Sequence, residues 1–89
     1  MSTGGVDPGG PEPEPEVVLD CRGLPCPRPI VELARHLGDV AVGGLLAVDA
    51  DDVAARFDVP AWCRMKEQAY VGEQAAPDGT PRFVVRRLG

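Results

Sequence analysis

The chain has 89 residues, 44% of them hydrophobic and 26% charged, with a net charge of −5. That length supports one small domain, and the balance is that of a globular protein. No run approaches the roughly 18 apolar residues of a membrane helix, and no Lys/Arg-rich stripe with interleaved aromatics offers a nucleic-acid surface. The start of the chain lacks a basic stretch followed by an apolar block, so we expect no secretory signal and a cytoplasmic location. Three cysteines, an odd number, suit a reducing compartment.

Residues 1–15 carry four Gly and four Pro, and the first 16 residues hold four acids and no base. Such a segment buries too little apolar surface to offset its ordering entropy. We expect a disordered or polyproline-like acidic tail over 1–15 and a folded domain over 16–89. The remaining 73 residues hold 10 acids and 9 bases, so the domain itself is nearly neutral.

Val17-Val18-Leu19 is a β-branched run and predicts strand 1. A loop with turn residues Gly23 and Pro25 follows, and then Cys26 stands between two prolines. Pro27 pushes the residue before it out of the α region and fits the first position of a helix. Cys26 is therefore expected at the N-cap of helix 1, with its sulfur near free N–H groups and the positive end of the helix dipole. Arg28 also precedes a proline, so the helix starts at Pro27 or at Pro29. Helix N-termini and nearby arginines lower a cysteine pKa from about 8.5 to roughly 7 or below. Arg22 and Arg28 flank Cys26, and the expectation is a reactive, exposed thiolate.

Ile30, Leu33, Ala34 and Leu37 recur at helical spacing and form the apolar stripe of helix 1, which runs to Gly38 or about Asp39. Glu32 can pair with Arg35 or His36 on the other face. Gly43-Gly44 marks a turn. Leu45-Leu46-Ala47-Val48 is apolar without alternation, as expected for a strand in the middle of a sheet. Asp49, Asp51 and Asp52 are N-cap candidates for the next helix. Pro60 is expected to split that segment into a turn at 53–58 and a helix at 60–67, with Phe57, Ala61, Trp62 and Met65 facing the core. Strands at 69–74 and 82–88 flank the turn Pro77-Asp78-Gly79 and form an antiparallel hairpin. The order is βαβαββ: an α+β fold, a two-layer sandwich of a four-stranded mixed sheet with both helices on one face.

Asp20, Gly23, Leu24, Cys26, Pro27 and Pro29 together resemble the signature L-D-x-x-G-x-x-C-P-x-P of the TusA/SirA-like sulfur-carrier family. Asp51-Asp52 and then Asp58-Val59-Pro60-Ala61-Trp62 resemble its second recurring stretch. The likeness spans residues 17–88. Glu67-Gln68 departs from the Gly-His or Glu-His pair of many members. The resemblance implies that Cys26 carries sulfur as a persulfide, with no cofactor beyond that covalent sulfur. It also implies a cysteine desulfurase or another sulfurtransferase as donor. The acceptor would be a protein used in tRNA thiolation, cofactor assembly or sulfur metabolism. The role so implied is that of a stoichiometric carrier, also classed as a sulfurtransferase, and we expect a monomer without direct contact to nucleic acid or membrane.

Asp20, Arg22, Gly23, Pro27, Arg28 and Pro29 are the expected supporting residues. Asp20 either orients the loop through backbone N–H groups or raises the thiol pKa by its charge. Cys21 is either a loop bystander or a second thiol that resolves the persulfide or pairs in a disulfide. Cys63, next to Trp62, is expected to be a packed core thiol, and His36 a surface residue at the end of helix 1. A metal site from Cys21, Cys26, His36 and Cys63 lacks the paired C-x-x-C spacing of structural zinc, so none is expected. Two other readings remain: a regulatory or protein-interaction module of the same fold without sulfur transfer, and a Cys21/Cys26 dithiol redox protein.

Overall fold

In the computed structural model, the described residues are 14–89. Most of the expected tail therefore lies outside them. Four strands and two helices follow in the order β1 (Val17–Asp20), α1 (Arg28–His36), β2 (Leu45–Asp49), α2 (Ala55–Lys66), β3 (Ala69–Ala75) and β4 (Pro81–Arg86). The sheet order is β1-β2-β4-β3. β1 runs parallel to β2, and the two other pairings are antiparallel. This is the mixed sheet expected from βαβαββ.

The apolar run of β2 is buried at every position because the strand lies inside the sheet and is covered on both faces. Leu46 and Val48 face the helices with Phe83 and Val85 of β4, and Leu33, Val59, Trp62 and Cys63 close this core from above. Leu45, Ala47 and Val84 form a smaller buried cluster apart from it. The buried Asp49 and the partly buried Arg82 are paired across β2 and β4, with Arg82 Nε donating to Asp49 Oδ1 at 2.7 Å. Asp49 is thus a strand residue in an ion pair rather than a helix cap.

α1 is shorter than its apolar stripe. The α-helix ends at His36, and a 3₁₀ turn over Leu37–Asp39 continues it. Leu33 is fully buried, and Ile30 and Leu37 pack partly against the core, whereas Ala34 is exposed. Glu32 approaches Arg28, Arg35 and His36, as its helical spacing allows.

α2 corrects the expected break. It runs unbroken through Pro60. Proline there removes one intrahelical hydrogen bond. Burial of Val59 on one side and of Trp62 and Cys63 on the other holds the helix together across the gap. The core face is also corrected. Ala55, Val59, Trp62 and Cys63 are buried at spacings of four, seven and eight, while Phe57 and Met65 are each 70% exposed and Ala61 is exposed. Trp62 faces the core as expected, but Phe57, Ala61 and Met65 do not, because packing on the sheet rather than hydrophobicity sets the rotation of the helix. α2 ends on Glu67 in the left-handed region at φ 59°, a position that favours glycine. Gln68 compensates there. Its N–H bonds the Cys63 carbonyl, and its side-chain oxygen accepts the Leu88 N–H.

Candidate functional site

The loop between β1 and α1 is built from carboxylates. Asp20 accepts the backbone N–H of Arg22 and grips its guanidinium, with Nε to Oδ1 and Nη2 to Oδ2 both at 2.8 Å. Arg22 then reaches Asp78 in the β3–β4 turn at 2.6 Å. The Arg22 hydrogen bonds hold Asp20 down to about 2, and Thr80 and Arg22 do the same for Asp78. Asp20 thus orients the loop. It also fastens the loop to the far hairpin through Arg22.

Two acids from the stretch before α2 hold the rest. Asp51 accepts the N–H of Gly23, whose φ of 77° suits glycine at this turn. Asp52 accepts the Cys26 N–H at 2.9 Å on one oxygen and the Ala54 N–H at 3.0 Å on the other. It joins the loop to the start of α2, and these two amide hydrogen bonds lower its pKa. Neither acid is the N-cap residue itself, which is Ala54.

Cys26 is exposed, and both of its expected activators are absent. The helix cap is Pro27 and the first helical residue is Arg28, so Cys26 lies one residue ahead of the cap. Within the first turn Arg28 donates to the Pro25 carbonyl, Ile30 donates to that of Pro27, and Pro29 has no N–H. No first-turn N–H is left for the sulfur. Neither arginine serves it either: Arg28 turns to Glu32 at 3.7 Å, and Arg22 is held by Asp20 and Asp78. Instead Cys26 Sγ donates to Asp58 Oδ2 of α2 at 3.1 Å. That hydrogen bond, partial loss of water around the sulfur, and the charges of Asp58 and Asp52 raise the thiol above its ordinary value. The expectation of a lowered pKa is thereby reversed.

Cys21 is 1% exposed and packs in the core beside α1. Burial, with Glu32 and Asp20 nearby, raises its pKa. Cys21 is thus a loop cysteine, as expected, and its side chain is packed into the core. Cys63 is buried as expected, and burial alone pushes it up to about 11. All three cysteines are free, and only Cys26 is exposed. His36 lies at the surface between Asp39 and Glu32. Beside Cys26 an open apolar groove is lined by Pro27, Ile30, Asp58, Ala61, Trp62 and Met65.

Sequence reasoning over the loop thus placed Cys26, Asp20, Arg22, Gly23, Pro27, Arg28 and Pro29 together but missed Asp51, Asp52 and Asp58 as site residues. The signal was available, since all three acids lie in the second stretch that resembles the sulfur-carrier family.

Residues 17–87 match the family model described as Sulfurtransferase TusA. The chain is 47% identical over 73 residues to a sulfur carrier protein TusA from Pseudomonas putida strain GB-1, covering 82% of this chain and 90% of that protein. It is 38% identical over 69 residues to the protein of the same name from Pseudomonas fluorescens strain SBW25, covering 78% and 82% of the two chains. The crystal structure of a SirA-like protein from Desulfitobacterium hafniense superposes with a TM-score of 0.69 at 16% identity, covering 82% of this chain and 99% of that one. That likeness concerns the fold. Among the described residues no helix is long and apolar enough to cross a membrane.

Proposed function

The chain belongs to the TusA family, and on that premise we propose that it is a sulfur-relay carrier. Cys26 accepts sulfane sulfur from a donor protein, such as a cysteine desulfurase or another sulfurtransferase. It holds the sulfur as a persulfide and passes it to an acceptor protein in tRNA thiolation, cofactor assembly or sulfur metabolism. The observation that carries this reading is the exposure of Cys26 alone among three free thiols. An exchange between proteins needs a sulfur that a second sulfur can reach. The two buried cysteines leave one candidate.

The chemistry balances without a redox partner. The Cys26 sulfur, its proton removed, attacks the outer sulfur of a donor persulfide. A new S–S bond forms, the donor's S–S bond breaks, and the donor sulfur leaves as a thiolate with the bonding pair. Discharge repeats the exchange with an acceptor thiol. Free thiols suit a reducing compartment, and we assign the carrier to the cytoplasm.

Incubation with a cysteine desulfurase, its PLP cofactor and cysteine should add about 32 Da to the intact protein, one sulfur atom, and the gain should vanish on addition of a reducing thiol. Cys26→Ala should show no gain. An equal gain in Cys26→Ala would overturn the assignment.

A further inference from the structure

The hydrogen bond from Cys26 Sγ to Asp58 Oδ2 joins residues 32 apart in sequence. We propose that Asp58 is a further catalytic residue of the sulfur site: its carboxylate holds Cys26 as a protonated, oriented thiol in the free carrier and takes up that proton when the sulfur reacts. Carrier reactivity is then set by α2 and not by the start of α1.

Three features support this. A thiol is a weak donor and needs a good acceptor, and a carboxylate oxygen is one. Asp58 is placed by Val59, its fully buried neighbour, so its position follows from the core packing of α2. Its charge is also not neutralised: among the described residues no arginine or lysine forms an ion pair with it. Among the described residues the charged groups that act on Cys26 are of one sign. Asp58 comes from α2 and Asp52 from the turn before it. The basic residues of the adjoining loop and helix, Arg22 and Arg28, are drawn to their own carboxylates.

The consequence is chemical. Alkylation, oxidation and sulfur exchange all proceed through the thiolate. A free carrier whose thiol stays protonated resists the first two. In the exchange step, which rests on the sulfur-relay reading, the Sγ–H proton leaves through Asp58 to water. The S–S bond then forms at Cys26 and the donor thiolate departs with the bonding pair.

The test is the pH dependence of alkylation by iodoacetamide in the full chain, followed by intact mass with peptide mapping to Cys26. Asp58→Asn keeps the size of the side chain and removes its charge. Its half-maximal pH should fall by about one unit, and its rate at pH 7 should rise about tenfold, because thiolate fraction scales tenfold per pKa unit. Asp58→Glu retains the charge and should stay close to wild type. Circular dichroism melts keep the comparison to folded protein. An Asp58→Asn profile that coincides with wild type, or moves to higher pH, overturns the proposal, as does an Asp58→Glu profile equal to that of Asp58→Asn. The alkylation result is independent of the relay reading: a wild-type chain that accepts no sulfur would sink that reading and leave the hold on the thiol standing.

Discussion

Cys26 stands on the loop ahead of α1 and Cys63 inside α2, and both sulfurs are harder to ionise than an ordinary cysteine. The causes are different. Cys63 is surrounded by side chains such as Val59, Trp62 and Phe83, and dehydration of its charged form does the work. Cys26 is open to solvent, and carboxylates do it. A buried sulfur is inert because nothing can reach it. An exposed sulfur beside Asp58 is restrained by a bond that a pH change, a substitution or an arriving partner can alter. The same residue type therefore serves as packing in one place and as a controllable reagent in the other.

The largest break of this contrast comes from Trp62, which is 4% exposed, belongs to the same core cluster as Cys63 and lines the groove at Cys26. Trp62→Ala should cost about 3–5 kcal/mol in urea denaturation. That matches the roughly 3–5 kcal/mol reserve of so small a domain, so the variant should be largely unfolded at 37 °C. A smaller loss is expected for Cys63→Ser, about 1–3 kcal/mol for burying a hydroxyl among apolar groups. Sulfur acceptance per folded molecule should be unchanged in that variant. Loss of acceptance at full folding would show that Cys63 takes part in the chemistry.

The mildest effect is acid sensitivity of the loop. Asp20 and Asp78 titrate at about 2 in the folded protein, and Asp52 is also lowered. Their unfolded values lie near 3.9. A depressed folded pKa adds stability that is present above the unfolded value and is lost as pH falls through the folded one. The urea midpoint should be flat from pH 7 to about 5 and decline between about pH 4 and pH 2. These groups are exposed, so salt should shrink the effect. Asp20→Asn should make the decline shallower, and an unaltered slope would remove Asp20 from the account.

Much of the fold could be read locally. The apolar run of β2 and the Pro77-Asp78-Gly79 turn carry their own periodicity or turn chemistry and form where expected, while α1 follows its stripe but ends at His36 and leaves Ala34 exposed. The site was legible only in part. Cys26, Gly23 and the prolines lie within one loop, whereas the groups that bond to Cys26, Asp52 and Asp58, come from a segment more than twenty residues away. Local reasoning supplied the nearest cations and the helix end, and both proved to be engaged elsewhere.

What the amino-acid sequence determined by itself was the order of elements, the central place of β2, and Cys26 as the sulfur presented at the head of α1. Those follow from short-range rules, since hydrophobic period and proline geometry act over a few residues. The tertiary structure alone decided which face of α2 is buried, that Pro60 is carried inside a helix, that Cys21 belongs to the core, and that Cys26 faces carboxylates. The first and the last of these depend on how α2 is rotated against the sheet. That rotation is fixed by the simultaneous packing of Ala55, Val59, Trp62 and Cys63 on strands distant in sequence. It also turns Asp58 toward the sulfur.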